Sequence, residues 1–256
     1  MFIEFLTENE FFNKYLDIFC SRFTVENLEM ENSKIDVADE RRAVEFFNSK
    51  NALSTLLKLN PERLTSEILF DIEDSLTDEL YFFQRGYRKT QVYVKKATTF
   101  MPPRAVELPF KMMYLLNNYY SINDELDVFE REARFHIEFV RNQPFEDCNK
   151  RCAKIITAFN LMKQNKAPII IKASETDEYF SYIDNYDVDG MTAFLKRKSN
   201  EELNVMINLY KRICKDDIVE NVDYDDMSLA SIVKNENKKA LSTNLTLLRQ
   251  FTKKDE

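Results

Sequence analysis

Residues 135–154 read FHIEFVRNQPFEDCNKRCAK, and this stretch decides the fold class of the chain. Apolar residues in its first half recur at helical spacing and predict a helix that ends near Val140. Pro144 interrupts the pattern, and Asp147 or Asn149 then begins a second helix. The stretch is therefore predicted to be a helix, a short loop and another helix, with polar residues gathered at the start of the second.

The same helical spacing runs through most of the 256 residues. Helices are predicted at about 2–19, 38–59, 61–82, 102–116, 121–140, 147–163, 174–183 and 187–214. The one strand signal is Gly86, followed by polar and β-branched residues that alternate as far as Val94. We therefore predict an all-α domain over residues 1–195, with a small β-hairpin near 86–97, and a C-terminal helical extension over 196–256.

Glycine is scarce, since the chain has two, where average usage of about 7% would give roughly eighteen. This scarcity excludes the Gly-rich phosphate loops of P-loop and dinucleotide-binding enzymes and the nucleophile elbow of the α/β-hydrolases. The net charge is −8, from 36 basic and 44 acidic side chains, and Lys and Arg form no stripe. Binding of nucleic acid through its phosphate backbone is therefore not expected.

The four cysteines include no CxxC pair, and acidic residues interrupt the apolar run at the start of the chain. Neither a signal sequence nor a membrane span is predicted, so we interpret the cysteines as reduced thiols of a cytoplasmic protein. Secretion as an effector stays open. The single histidine, His136, limits metal and acid–base chemistry, and we expect it to have a structural role.

The segment from Gln143 to Lys154 resembles the signature of the Fic (Fido) family, H-P-F-x-[DE]-G-N-G-R-x-x-R, which lies on a helix–loop–helix. Identical residues stand at five of the first nine positions: Pro144, Phe145, Asp147, Asn149 and Arg151. Gln143 replaces the histidine of the signature. Cys148 and Lys150 replace its two glycines, and Lys154 replaces the final arginine.

Flanking segments extend the resemblance over roughly residues 20–195. Residues 86–94 resemble the target-docking flap of the family, and the residues expected to dock a target are Gln91, Val92, Tyr93 and Val94. Residues 100–108 resemble the Pro-rich entry to the next helix, and residues 167–171 the turn that follows the motif. Tyr179 stands where the family often has an aromatic residue at its adenosine pocket.

Fic proteins typically transfer AMP from ATP to a Ser, Thr or Tyr hydroxyl, with the histidine accepting the hydroxyl proton. The resemblance implies Asp147 as a weak Mg²⁺ ligand, and it implies these nucleotide or anion contacts: Asn149, Lys150, Arg151, Lys154 and Tyr179. Gln143, at the position of the catalytic histidine, cannot accept a proton near neutral pH. Side chains in place of the glycines narrow the phosphate cradle. We therefore expect ATP and Mg²⁺ to bind weakly or not at all.

Many Fic proteins also carry an inhibitory helix with the pattern [S/T]-x-x-x-E-[G/N], whose glutamate pairs with the last arginine of the motif. Residues 25–30 occupy a comparable place and put Glu29 at the glutamate position. This interpretation pairs Glu29 with Lys154, as a single contact rather than the two that arginine gives.

Three functions stay open at this point. The first is a degenerate Fic-fold protein that binds a protein partner through its flap. The second is an active transferase that moves a nucleotidyl or phosphate group to protein hydroxyls without the motif histidine. The third is an all-α interaction domain for which the resemblance is misleading. Tyr179 as a core residue, and Arg151 and Lys154 as solvated helix residues, are structural alternatives, and the oligomeric state is left open.

Overall fold

The computed structural model describes residues 10–30, 40–80, 84–121 and 125–213. Within these ranges the regular structure is helical and no strand occurs, so the predicted all-α fold class is confirmed. The α-helices are α1 (Glu10–Met30), α2 (Glu40–Leu59), α3 (Ser66–Thr77), α4 (Leu108–Tyr119), α5 (Val128–Asn142), α6 (Asn149–Lys163), α7 (Thr176–Asp184) and α8 (Val188–Ile213). Two 3₁₀ turns, Ala105–Glu107 and Ala173–Glu175, lead into α4 and α7.

Helices α5 and α6 form the centre of the fold. Every residue of α6 from Arg151 to Met162 is buried, which makes it a core helix on all sides. Helix α5 packs against α4, α6, α7 and α8, whereas α6 also contacts α2 and α3. Each large apolar side chain buried there stabilises the fold by about 1.5–3 kcal/mol. The loop between α5 and α6 is therefore held by the most rigid part of the molecule.

Helix boundaries follow local capping. The Thr65 side chain accepts a hydrogen bond from Ile68 N at 3.4 Å, and α3 begins directly after it, at Ser66. The predicted start of this helix at Pro61 was wrong, because Pro61 lies outside the helix. Helix α5 is capped by Asp127, whereas the cap predicted for it includes residues 122–124, which lie outside the described residues.

The predicted β-hairpin near residues 86–97 was wrong, because the described residues of this segment form an irregular loop without a strand ladder. Exposed and half-buried side chains alternate from Gln91 to Val94, as in a strand. The segment ends in a turn, in which Ala97 N donates to Val94 O at 3.0 Å. Alternation in the sequence indicates that one side of a segment faces the protein, but a strand also needs a neighbouring strand with which to pair.

Helix α8 runs through the predicted boundary between residues 195 and 196. The remainder of the predicted C-terminal extension, residues 214–256, lies outside the described residues, as does the start of the first predicted helix. In the described part of the chain, no helix combines the length and the hydrophobicity that a membrane crossing requires.

Candidate functional site

Residues 143–148 connect α5 to α6, and both ends of this loop have left-handed backbone conformations. Gln143 ends α5 with φ 44° and ψ 62°, and Cys148 precedes α6 with φ 64°. Such conformations favour glycine and cost a residue with a side chain of order 1–3 kcal/mol. Cys148 stands at the first glycine position of the motif, so the backbone keeps the conformation that glycine would adopt there.

Asn149 closes the loop from inside. Its Nδ2 donates to Phe145 O at 2.9 Å and to Gln143 Oε1 at 3.1 Å, while its Oδ1 accepts from Phe145 N at 2.9 Å. The Gln143 Nε2 donates to Val140 O at 2.7 Å. The side-chain amides of Gln143 and Asn149 therefore make hydrogen bonds within the loop. We call this arrangement the Gln143–Asn149 clasp.

Asp147 and Arg151 lie together at the start of α6, as the motif predicts. The Asp147 Oδ1 accepts from Cys148 N at 2.6 Å, and its Oδ2 lies 3.8 Å from the Arg151 Nη2. The Asp147 side chain is 46% exposed and that of Arg151 only 8%, so the carboxylate faces solvent above a buried guanidinium. Lys150 is half-buried beside them. Arg151 is buried, so it is not the solvated helix residue of the structural alternative.

Lys154 and Tyr179 lie in the core and are not open to a ligand. The Lys154 Nζ donates to Asn27 Oδ1 at 2.8 Å, contacts Met30 Sδ at 2.7 Å, and lies 5.5 Å from the centre of the Tyr179 ring. The Tyr179 hydroxyl is 2.7 Å from His136 Nε2, and the side chain is fully buried. This placement does not support the nucleotide contacts expected of Lys154 and Tyr179. Tyr179 packs in the core, which was the structural alternative to a contact with adenosine.

His136 is a structural histidine, as expected. Its Nδ1 is 2.9 Å from Thr157 Oγ1, and its other ring nitrogen meets Tyr179. Burial first, and then the nearby Lys154 ammonium, lower its pKa to about 3. The imidazole is therefore neutral at physiological pH and is enclosed in the core, so it does not replace the missing base of the motif.

Helix α1 contacts the end of the motif, but through a different residue from the one predicted. Glu29 is exposed, and Asn27 is the residue that meets Lys154. Sequence reasoning missed this contact, although the signal was present: Glu26-Asn27 also fits the E-[G/N] ending of the inhibitory pattern, with Arg22 in place of Ser or Thr. The Glu26 carboxylate itself accepts from the backbone N–H of residue 173 at 2.8 Å.

Arg88 fastens the base of the flap to the motif loop, and sequence reasoning missed it. Its Nε donates to Gln143 O at 2.7 Å, its Nη1 to Thr90 O at 2.6 Å and its Nη2 to Pro103 O at 2.6 Å. Its backbone N–H donates to Pro144 O at 2.9 Å. The side chain is buried, and burial lowers the pKa of the guanidinium. Three backbone carbonyl oxygens therefore accept hydrogen bonds from the buried Arg88 guanidinium.

Glu146, the variable position of the motif, binds the same part of the flap. Its Oε1 accepts from Lys89 N at 3.1 Å, and its Oε2 accepts from Thr90 Oγ1 at 2.7 Å. Partial burial raises the pKa of this carboxyl, but the hydrogen bonds from Thr90 and Lys89 outweigh it and the pKa is lowered. The far end of the flap is held by Asp184, whose Oδ1 accepts from Thr99 N at 3.0 Å.

Between these two attachments, residues 91–94 form the outer part of the flap. The Gln91 Nε2 donates to Pro102 O at 3.2 Å, and the Tyr93 side chain is 76% exposed. The four residues predicted to dock a target therefore lie together at the surface. Arg88 attaches this segment directly to the loop that carries the motif.

The Fic/DOC family model matches residues 63–161, which run from just before α3 to the last turns of α6. Residues 63–161 form a Fic domain. The family assignment made from the motif is thereby confirmed, and the match includes the flap and the whole Gln143–Asn149 clasp.

Known adenylyltransferases are related to this Fic domain in sequence. The Protein adenylyltransferase Fic of Nematostella vectensis is 26% identical over 170 residues, which cover 65% of this chain and 37% of that protein. Protein adenylyltransferase fic-1 of Caenorhabditis elegans is 27% identical over 109 residues, 43% of this chain and 21% of that protein. The chain thus matches little more than a third of the length of the first relative and about a fifth of the second.

Solved structures share the fold. A Fic domain containing signaling protein from Bacteroides thetaiotaomicron superposes with a TM-score of 0.69 at 16% identity and covers 86% of this chain and 100% of that one. Fic-1 from C. elegans (residues 134–508) gives 0.62 at 14% identity and covers 81% of this chain and 68% of that one. These likenesses extend the Fic fold beyond the residues that the family model matches.

The residues of this Fic domain fit a complete Mg²⁺–ATP complex only in part. Asp147 offers an exposed carboxylate, which suits a hard cation. However, Asn149 uses its amide within the loop, and Lys154 is buried against α1. Two of the side chains expected to contact the nucleotide are therefore engaged within the protein.

A separate cleft of about 570 Å³ lies between α1, residues 170–172 and α8. Its charged groups pair with carboxylates of the same chain: Arg22 with Glu202 at 2.9 Å, and Lys198 with Glu201 at 2.6 Å. The cleft is lined by none of the motif residues. Its charges are therefore compensated from within the protein.

Proposed function

We propose that this Fic domain has lost efficient AMP transfer and acts by binding a protein partner through its flap, with a weak anion or nucleotide site left at the start of α6. The Gln143–Asn149 clasp is the observation that carries this proposal. In the clasp, the side chain at the position of the catalytic base is an amide that holds the loop together.

The chemistry supports the loss of transfer. An amide does not accept a proton near neutral pH, and removal of a general base typically costs 10²–10⁴ in rate. His136 offers no substitute, because it is buried in the core and its pKa is lowered to about 3. Since the chain contains one histidine, no other imidazole can serve.

The start of α6 supports weak anion binding. A helix N-terminus directs backbone N–H groups towards an anion, and the positive end of the helix dipole adds to the attraction. Lys150 is half-buried there, and the Asp147 carboxylate beside it suits Mg²⁺. Without an accessible Lys154, we expect a dissociation constant in the millimolar range, on the order of 4 kcal/mol of binding free energy.

The flap supports binding of an extended peptide segment of the partner. Residues 91–94 lie at the surface, while Arg88 and Glu146 fix their base. Exposed main-chain groups along such an attached edge can pair with an extended segment of another protein, through hydrogen bonds that need no particular side chains. Tyr93, which is exposed, supplies an aromatic contact beside that edge.

Incubation with labelled ATP, Mg²⁺ and cell lysate tests the loss of transfer. We expect no labelled band with the natural chain, and recovery of labelling in the triple variant Gln143→His, Cys148→Gly, Lys150→Gly. The same triple variant with Arg151→Ala is the matched control and should be silent. Labelling by the natural chain that disappears on Arg151→Ala would instead establish the alternative, a transferase that works without the histidine.

That alternative is favoured by one observation, the retained pair of Asp147 and Arg151. Labelled donors other than ATP therefore belong in the same experiment, because a nucleotidyl or phosphate donor of different size could fit the altered loop. Calorimetry with ATP and Mg²⁺ tests the residual site separately. Absence of heat at millimolar ligand would contradict weak nucleotide binding and leave the flap as the binding element.

Capture of partners from lysate tests the flap. Val92→Pro removes one backbone N–H from residues 91–94 and should abolish capture, whereas the matched control Val92→Ala keeps that N–H and should not. Equal capture by Val92→Pro and the natural chain would contradict binding by strand addition.

A further inference from the structure

The residues in and around the flap carry charge of one sign. From residue 80 to residue 106 the sequence has no aspartate and no glutamate, whereas the chain as a whole has 44 acidic side chains and a net charge of −8. The same stretch contains six basic residues: Arg85, Arg88, Lys89, Lys95, Lys96 and Arg104. The flap is therefore a basic segment on an acidic protein.

Four of these six cations are compensated by groups of the protein itself. Arg88 is buried and donates to three backbone carbonyls, and Arg85 lies among three carboxylates of α3. The Lys96 Nζ lies 2.8 Å from a carboxylate oxygen, and the Arg104 Nη2 lies 3.2 Å from another. The two remaining lysines pair with no carboxylate in the part of the chain that the structure describes.

These two lysines lie on either side of residues 91–94, at the surface. We call the four exposed side chains of this segment the flap face: Lys89, Gln91, Tyr93 and Lys95. The valines at positions 92 and 94 are half-buried between them. The Lys89 Nζ contacts the amide oxygen of Gln84, which carries no charge. The flap face therefore presents two ammonium groups with an amide and an aromatic ring between them.

The surroundings of the flap face favour one class of anionic partner. A nucleic acid strand carries a charge at every nucleotide, so it extends beyond two lysines onto the acidic surface of the protein. On α3 the side chains of Glu67 and Asp71 are 74% and 52% exposed, and charges repel one another over about 8 Å at physiological ionic strength. A protein segment, by contrast, carries carboxylates at a few positions and apolar side chains between them.

We propose that the partner bound by the flap presents an extended acidic segment, whose carboxylates pair with Lys89 and Lys95 while an apolar side chain between them packs on Tyr93. This inference rests on the function proposed for the flap and adds the chemical class of the partner to it. Main-chain hydrogen bonds along residues 91–94 supply affinity, and the two lysines select for negative charge.

Fluorescence anisotropy of the full chain with a labelled peptide measures this preference. The probe is a peptide of about ten alternating Glu and Val residues, and its matched controls have Gln or Lys in place of every Glu. We expect the Glu peptide to bind about 5–10-fold more tightly than the Gln peptide at low salt, because two exposed ion pairs add to the main-chain hydrogen bonds. The difference should disappear at about 1 M salt, where charges interact over only about 3 Å.

Variants of the flap face test whether the two lysines cause the preference. Lys89→Gln, Lys95→Gln should bind the Glu and Gln peptides equally, and Lys89→Glu, Lys95→Glu should prefer the Lys peptide. The matched control Lys58→Glu, Lys166→Glu changes the net charge as much as the second variant and should keep the preference for the Glu peptide. Both control residues are exposed and lie near the end of α6, about 22 Å from the motif loop at its start.

Thermal unfolding of each variant is measured alongside, because Lys89→Glu brings a second carboxylate close to Glu146, which accepts from Lys89 N. Equal binding of the Glu and Gln peptides to the natural chain overturns the proposal. A preference that the control variant removes as completely as the flap variants also overturns it. Tighter binding of an oligothymidylate of the same length than of the Glu peptide overturns it in favour of nucleic acid.

These outcomes differ from a failure of the flap itself. If the natural chain binds the Glu and Gln peptides equally and Val92→Pro binds neither, the acidic preference is wrong but the flap remains the docking element. If no peptide binds at concentrations up to about 1 mM, the acidic preference is overturned as well. The capture experiment with Val92→Pro and Val92→Ala then decides separately whether the flap docks a partner.

Discussion

Two buried cations join other segments to the motif, and their surroundings differ. Arg88 joins the flap to the loop through three backbone carbonyls at 2.6–2.7 Å, which match the planar fork of the guanidinium. Lys154 joins α6 to α1 through one amide oxygen, on Asn27, and the sulfur of Met30. Both side chains are nearly inaccessible to water. The Lys154 ammonium also lies 5.5 Å from the centre of the Tyr179 ring, and its contacts lack the planar fork geometry of the Arg88 guanidinium.

The two junctions should therefore differ in how much the free energy of unfolding falls when the cation is replaced. Removal of a buried charge that its partners satisfy fully leaves those partners unpaired, which is expensive. Replacement of a buried charge together with its partner by apolar side chains of similar volume is often neutral or even stabilising. We therefore expect the flap base to depend strongly on Arg88, and the α1 contact to tolerate the joint replacement of Lys154 and Asn27 by apolar side chains.

The largest effect is expected at Arg88. Arg88→Ala should lower the free energy of unfolding by about 3–5 kcal/mol, because it leaves three buried carbonyls without their donor. Chemical denaturation of the full chain gives the measurement. Arg88→Lys is the control: it keeps the charge but not the fork, and it should recover part of the loss. If Arg88→Ala unfolds no more easily than Lys154→Met, the contrast between the two junctions fails.

The second effect concerns His136, which lies beside Lys154. The folded pKa of His136 is about 3, below its ordinary value of 6.5, so the unfolded chain binds more protons between these values. Its contribution to stability is therefore lost as the pH falls from 6.5 towards 3. In His136→Gln this loss should disappear, and the slope of stability against pH should change by about 1.4 kcal/mol per pH unit. Urea denaturation at several pH values measures the slope.

Glu132 supplies a control of opposite sign. It is buried in α5, and burial raises its pKa to about 7, although hydrogen bonds from Tyr119 and Asn160 act against the shift. Between pH 4.5 and 7 the folded state therefore binds more protons at Glu132, and this contribution is lost as the pH rises. Glu132→Gln should accordingly change the slope in the opposite direction to His136→Gln. Slopes that change in the same direction would contradict the buried, neutral state of His136.

The smallest effect is expected at Lys154 itself. The double variant Lys154→Met, Asn27→Leu should change the free energy of unfolding by no more than about 1 kcal/mol, since it replaces the charge together with its amide partner and ends the desolvation cost of both. The same denaturation experiment measures it, with Lys154→Met alone as the comparison that leaves the Asn27 amide oxygen without this donor. A loss above about 3 kcal/mol would make the α1 contact as strong as the flap base.

The sequence predicted the parts of the site that depend on neighbours along the chain. The helix–loop–helix around Pro144, the extent of α2 and α6, and the clustering of Asp147 with Arg151 all follow from helical spacing and capping. The flap hairpin was wrong, since a strand is completed by a neighbour that the sequence does not name. The Glu29–Lys154 pair was replaced by Asn27 because the packing of α1 on the core decides which of its residues faces inward.

The sequence by itself determined which chemistry is absent: with Gln143 at the histidine position and His136 as the only imidazole, no proton acceptor of the usual kind is present. It also determined the family, because the motif residues lie close together along the chain. Only the tertiary structure decided that Lys154 and Tyr179 are core residues and that Arg88 carries the flap. The exposure and hydrogen-bond partners of these three side chains depend on segments that are distant in the sequence, and only folding brings those segments together.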